Sequence, residues 1–359
     1  MRPYYLIREI MFKFDAEKVH NFILGIGSLL GKTWLTKRIL RKFFVYKNKM
    51  LNIEVLGIKF ENPIGLAAGF DKNAVLTDVL PNVGFGFTEV GSITAEKCEG
   101  NKKPRLFRLT EDKALLVRLG LPSEGAVKIA NKLKDKKFNF PVGINIAKTN
   151  DVNIIGEKAI NDYVRSIRLF KDIGDYITIN LSCPNIPDKD AFSNPILLAK
   201  LLKEVKKVVD KPILLKIALD LNSKNYDGII RVAKKYAFVK GFVISNLSTK
   251  RDKLRTDKNI LNEIGNGGGI SGKPAKDKSN ELIKYFYKKT KGKYIIIGCG
   301  GVFNAEDAYE KIKLGASLVQ LITGMIYEGP GLIKEINKGL VELMKRDSYK
   351  NIKEAVGVG

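Results

Sequence analysis

Eight short apolar runs, each closing on residues that strands usually avoid, constrain the fold of this chain more than any other feature. They occupy residues 64–69, 87–94, 141–148, 176–183, 212–218, 241–246, 294–301 and 318–324. Hydrophobicity within each run is continuous rather than alternating, as a strand covered on both faces of a parallel sheet requires. Helix-length periodic segments lie between them, at 154–173, 195–209, 305–314 and 331–344. Eight βα units in series favour closure over an open sheet, so the expected fold is α/β, a (β/α)₈ TIM barrel with an N-terminal helical extension.

The closing residues are Ala-Ala-Gly at 67–69, Gly-Ser at 91–92, Asn145, NLSCPN at 180–185, Lys216, Ser-Asn at 245–246, GCGG at 298–301 and Thr-Gly at 323–324. In a barrel these ends meet at the C-terminal mouth, where active sites of this fold are built. Gly300-Gly301 and Thr323-Gly324 follow the seventh and eighth runs, where barrels commonly hold a phosphate; the alternative is plain βα turns. Neither a Walker pattern nor a strand-to-helix G-x-G-x-x-G is present, and GNGGGISG at 265–272 reads instead as a segment covering a cofactor. Lys216 ends an apolar strand and must either lose its proton or meet an anion, whether an acidic side chain or the electron-rich edge of a ligand such as a flavin. Cys183, between Ser182 and Pro184 and flanked by Asn180 and Asn185, is either an inert core thiol or, with a lowered pKa, a general base beside a planar polar ligand. His20 is the single histidine and lies far from the mouth in sequence, which disfavours Ser-His or Cys-His nucleophilic hydrolysis.

The 359 residues divide into residues 1–46, carrying amphipathic helical patterns around 16–30 and 34–44, and a barrel over 47–359 that opens with a hairpin at 51–61 turned at Leu56-Gly57. The leading helices carry an apolar face and a basic one with Lys37, Arg38, Arg41 and Lys42, which suits either an anionic bilayer surface or the protein's own body. No stretch approaches the about 18 apolar residues of a spanning helix. Sixty-three Lys and Arg against 38 Asp and Glu give +25, spread along the chain without the aromatic-rich strands of a nucleic-acid module, so no nucleic-acid partner is expected. Three cysteines without metal spacing imply no metal site, and with no signal peptide pattern they fit a reducing compartment.

Taken in order, NPIGLAAGFDKNA (62–74), EVGSIT (89–94), PRLFRL (104–109), GINIAK (143–148), NLSCPN (180–185), LKIALDL (215–221), GGISGKP (268–274), IIGCGG (296–301) and GASLVQLITG (315–324) resemble the dihydroorotate dehydrogenases over essentially the whole chain. FKFDAEKVHNF and PRLFRL are similar to the membrane-associated, quinone-linked branch. The resemblance implies FMN held by Ala68, Gly69, Ser92, Asn145, Asn180, Lys216, Ser245, Gly272, Gly301 and Thr323. It implies dihydroorotate met by Lys72, Asn180, Asn185 and Asn246, with Cys183 as the base. It further implies that His20 and Arg108 line a site for ubiquinone or menaquinone, on a protein peripheral to the cytoplasmic side of the cell membrane and serving UMP biosynthesis.

Four positions depart from the quinone-linked pattern. Cys183 stands where that branch carries serine, Val117 where an asparagine would meet substrate, Leu247 where a hydroxyl residue is usual and Ile322 where a tyrosine is common. They leave open another dihydropyrimidine as substrate, or fumarate or NAD as acceptor.

Overall fold

The computed structural model describes residues 3–183 and 191–359. Eight parallel strands form a closed barrel: β1 (Ile64–Leu66), β2 (Phe87–Ile93), β3 (Val142–Ile146), β4 (Tyr176–Asn180), β5 (Ile213–Ile217), β6 (Val239–Ile244), β7 (Ile295–Cys299) and β8 (Leu318–Leu321). Each pairs with its neighbours in sequence and β8 closes on β1, with Val319 opposite Ile64 and Leu321 opposite Leu66. All eight apolar runs are therefore strands, and their covered outer faces account for the unbroken hydrophobicity.

The barrel interior is filled by pairing large side chains with glycine. A Cβ on Gly65 would stand 2.4 Å from the Phe87 ring, and one on Gly143 would stand 2.4 Å from the Tyr176 ring. These rings fill the N-terminal part of the barrel, beneath the C-terminal end where this fold builds its sites. The hairpin Ile53–Val55/Ile58–Phe60 forms at the expected place, with Leu56 and Gly57 both at positive φ, and its Phe60 packs edge-on against Phe87.

The N-terminal segment carries three helices, α1 (Pro3–Phe12), α2 (Ala16–Leu30) and α3 (Trp34–Phe44), one more than periodicity indicates. α1 is fixed by polar contacts along its length and by Phe12 at its end, whose ring meets Tyr327 edge-on at 5.4 Å. Tyr4 Oη donates to the Ile326 carbonyl at 2.7 Å, Tyr5 Oη to Glu328 Oε2 at 2.7 Å and Arg8 Nη1 to the Tyr327 carbonyl at 3.1 Å. α2 is capped by Asp15 and tied to the barrel by Arg105, whose Nε and Nη2 donate to the two carboxylate oxygens of Glu17 at 3.0 and 2.7 Å. None of the described helices is long and apolar enough to cross a membrane.

A second sheet of three antiparallel strands, Leu106–Leu109, Ala114–Val117 and Gly269–Gly272, caps one side of the mouth. The glycine-rich segment expected to cover a ligand thus enters as a strand, paired to a hairpin about 150 residues earlier.

Candidate active site

The ends of seven strands, all but β3, together with the three-stranded sheet and α2 enclose one cleft of about 1260 Å³, including its open mouth. Among the residues expected to form a site, His20, Ala68, Gly69, Lys72, Ser92, Asn180, Cys183, Lys216, Ser245, Asn246, Gly272, Gly301 and Thr323 line it. Asn145 stands one layer beneath, and Arg108 lies outside the lining, donating to the Phe14 carbonyl at 2.7 Å with its guanidinium 4.7 Å from the Phe12 ring centroid. Asn185 lies outside the described residues.

Lys216 projects inward from β5, is 5% exposed and forms no ion pair or hydrogen bond with the described residues. Ser245 Oγ, after β6, is buried with no hydrogen-bond partner among the described residues. A buried cation and a buried hydroxyl left unpaired are costly unless a ligand completes them. Opposite them, Ser271 and Thr323 share a hydroxyl contact of 2.8 Å. Gly300 and Gly301 hold φ of +117° and +71°, and a Cβ on Gly301 would meet Lys276 at 2.4 Å, so only glycine permits this exposed backbone turn.

On the far wall, β2, β3 and β4 contribute a chain of side-chain contacts. Ser92 Oγ donates to Asn145 Oδ1 at 2.5 Å, Asn180 Nδ2 donates to Ser92 Oγ at 3.1 Å, and Asn246 Nδ2 donates to Asn180 Oδ1 at 3.2 Å. Tyr163 Oη anchors the end of β4 through the Asn180 carbonyl at 2.6 Å. Cys183 follows three residues beyond and is 8% exposed, with no disulfide.

Lys72 sits in the loop after β1, which Asp71 shapes by accepting from the backbone N–H groups of Val75 and Leu76 at 2.8 Å each. Burial pushes the Lys72 ammonium down to about 8. Its Nζ lies 3.5 Å from His20 Nε2 of α2, and burial together with the Lys72 charge brings His20 down to about 3. The folded chain thus brings His20 to the mouth despite its distance in sequence. The remaining wall is apolar: Leu106, Leu115, Val117, Leu247, Ile322 and Ile326 line the cleft, so three of the four departing positions face it as hydrocarbon.

Two buried polar residues lie within quoted motifs, EVGSIT and GASLVQLITG, but were assigned no role there. Glu89, fully buried in β2, accepts from Asn145, Thr178 and Tyr176, and stands in the sequence as an acid inside an apolar run. Gln320, fully buried in β8, keeps both amide atoms without partners among the described residues.

A profile of the family described as dihydroorotate dehydrogenase matches residues 50–344. A protein named dihydroorotate dehydrogenase (quinone) from Trichodesmium erythraeum is 39% identical over 364 residues, covering 96% of this chain and 95% of its own. One of the same name from a Sulfurovum species is 38% identical, covering 99% and 98%. Among solved structures, DHODH from Eimeria tenella in complex with ferulenol superposes with a TM-score of 0.83 at 28% identity, covering 96% of this chain and 95% of that one.

Proposed function

The chain belongs to the dihydroorotate dehydrogenase family, and we propose that it uses FMN to oxidise (S)-dihydroorotate to orotate with a quinone as acceptor, in pyrimidine biosynthesis. The observation that carries this reading is the single cleft that gathers an unpaired buried cation, an unpaired buried hydroxyl, a glycine turn and a chain of amides around Cys183.

These residues fit a flavin mononucleotide. Lys216 would neutralise the ring edge that gains negative charge on reduction, Ser245 would find its missing partner, and Gly272, Gly301 and Thr323 would receive the phosphate end, with Ala68, Gly69, Ser92, Asn145 and Asn180 around the ring. When bound, FMN supplies the two-electron acceptor for the hydride leaving substrate C6. Cys183 takes the C5 proton as base. Lys72 holds the substrate carboxylate, while Asn180, Asn246 and Asn185 pair with the ring amides, groups that would otherwise be desolvated without partners.

The quinone would approach between α1, α2 and the apolar wall of Leu106, Leu115, Val117 and Ile326, past His20, with Arg108 holding the α1–α2 connection. Leu6, Ile7, Ile10, Phe14, Phe22, Leu29, Trp34 and Phe43 are each between 54% and 68% exposed, and Lys13, Lys18, Lys32, Arg38 and Lys42 are exposed around them. An apolar face rimmed by cations suits the cytoplasmic surface of an anionic membrane, where the quinone resides. Purified protein should show a flavin spectrum that bleaches with dihydroorotate and recovers with a ubiquinone or menaquinone analogue. Recovery with fumarate or NAD but with no quinone would overturn the acceptor, and absence of bleaching would overturn the substrate.

A further inference from the structure

Glu89 has no part in the chemistry described so far, yet it is the one carboxylate at the closed end of the hydrogen-bond chain on the flavin wall. It is 0% exposed and forms no ion pair among the described residues. An isolated buried carboxylate is expensive, and this one is met by three donors: Thr178 Oγ1 at 2.8 Å and Tyr176 Oη at 3.3 Å on Oε1, and Asn145 Nδ2 at 3.1 Å on Oε2. Three donors on two oxygens make Glu89 an acceptor only.

That property fixes directions beyond it. Asn145 must turn its Nδ2 to Glu89, so its Oδ1 faces Ser92 at 2.5 Å, and the Ser92 hydroxyl must donate to it. From the other end, backbone donors pin the next two amides: the Ser182 N–H donates to Asn180 Oδ1 at 3.3 Å, and the Leu247 N–H to Asn246 Oδ1 at 2.9 Å. Asn180 therefore turns its Nδ2 to Ser92 Oγ at 3.1 Å. The two sets of constraints meet at Ser92, a rotatable hydroxyl on the cleft wall. Its proton is committed to Asn145 and one lone pair to Asn180, which leaves one lone pair for the cleft.

We infer that Glu89 is a positioning residue that makes Ser92 face the cofactor as a hydrogen-bond acceptor, and so selects an N–H of the flavin ring as the group opposite it. This rests on the FMN reading above. In Glu89→Gln, which keeps the shape, the new Nε2–H₂ faces Asn145. Asn145 must then flip, its Nδ2 turns to Ser92, and the Ser92 proton swings toward the cleft, donor against donor.

The test is FMN binding to apoprotein, followed by quenching of flavin fluorescence, with the melting temperature as a check on folding. Glu89→Gln should weaken FMN binding by about 10- to 100-fold, the effect of one mismatched buried hydrogen bond. In a Ser92→Ala background the same change should alter binding by less than about threefold, because the group through which it acts is gone. Glu89→Gln/Asn145→Asp moves the acceptor-only carboxylate one link along and should recover most of the loss. Unchanged FMN binding in Glu89→Gln would refute the inference. So would an equal loss in the Ser92→Ala background, which would assign Glu89 to the fold, or no recovery in the double exchange. Failure of the unaltered protein to bind FMN would instead remove the cofactor reading, and this inference with it.

Discussion

Replacing Arg105 with alanine should release the start of α2 without unfolding the barrel. The Arg105 and Glu17 side chains are 7% and 12% exposed and meet through two hydrogen bonds of 3.0 and 2.7 Å. The second terminal nitrogen of Arg105 donates to the carbonyls of Glu99 and Asn101 at 2.6 and 2.8 Å, so the guanidinium is held from both sides. Removing one partner of a buried pair costs about 3–5 kcal/mol, and the long contact of the exposed Lys103 with Glu17 at 3.9 Å replaces little of it. That corresponds to roughly two to four powers of ten in the opening equilibrium of α2. Amide hydrogen exchange reads this locally, and α3 serves as an internal control, held independently by Arg41 on Asn82 and by Lys334 on the Phe43 carbonyl. Protection should fall in residues 16–30 and persist in 34–44, with quinone reduction impaired and flavin reduction by substrate spared. The hydrogen bond and charge of Arg105 lower the Glu17 pKa. A lowered carboxylate contributes stability above its ordinary range and loses it as pH falls through the folded value. Acidification below the usual glutamate range should therefore loosen α2 in the unaltered protein and have no such effect in Glu17→Gln. Equal protection of α2 in Arg105→Ala and the unaltered protein would show that the latch contributes nothing.

Cys183→Ala should retain FMN and lose substrate-driven flavin reduction by about 10²–10⁴-fold, the usual contribution of a general base, in a stopped-flow measurement; an unchanged rate would mean that another group takes the proton. With the Lys72 pKa pushed down to about 8, its ammonium is complete below that value and lost above it, so the KM for dihydroorotate should rise as pH increases through about 8; a flat KM profile in that window would separate Lys72 from the substrate carboxylate. Phe22→Ser/Trp34→Ser should reduce co-sedimentation with anionic lipid vesicles while leaving flavin reduction intact, and equal sedimentation would remove these helices from the membrane contact.

The barrel was legible because its evidence is periodic: each strand buries both faces, and that requirement is written as an unbroken apolar run. The glycines and polar residues ending those runs could be read in the same way. α1 was not legible because its docking depends on two tyrosine hydroxyls, one guanidinium and the Phe12 ring reaching the segment Thr323–Glu328, and such contacts leave no periodic trace. The sheet that caps the mouth was hidden for a related reason. Its third strand, Gly269–Gly272, pairs through backbone groups in a glycine-rich stretch, where side-chain patterning carries no information. Glu89 and Gln320 were visible as polar residues inside apolar runs, but only the barrel geometry shows that Glu89 faces three donors.

The contact between Lys72 and His20 shows how distant parts of the sequence settle one another's charge. Two cations 3.5 Å apart in a partly desolvated wall would repel, and the pair resolves this unequally. Burial acts on both, but His20 begins from a much lower intrinsic value and is further depressed by the lysine, reaching about 3 while Lys72 remains near 8. At neutral pH the imidazole is therefore uncharged, and the lysine keeps the single positive charge of the pair. An anionic substrate held at Lys72, as proposed, would meet that charge undivided. On the apolar side His20 presents a neutral ring, packed edge-on at 4.8 Å against Phe70, so the α2 side of the cleft carries no second cation that an uncharged quinone would have to desolvate.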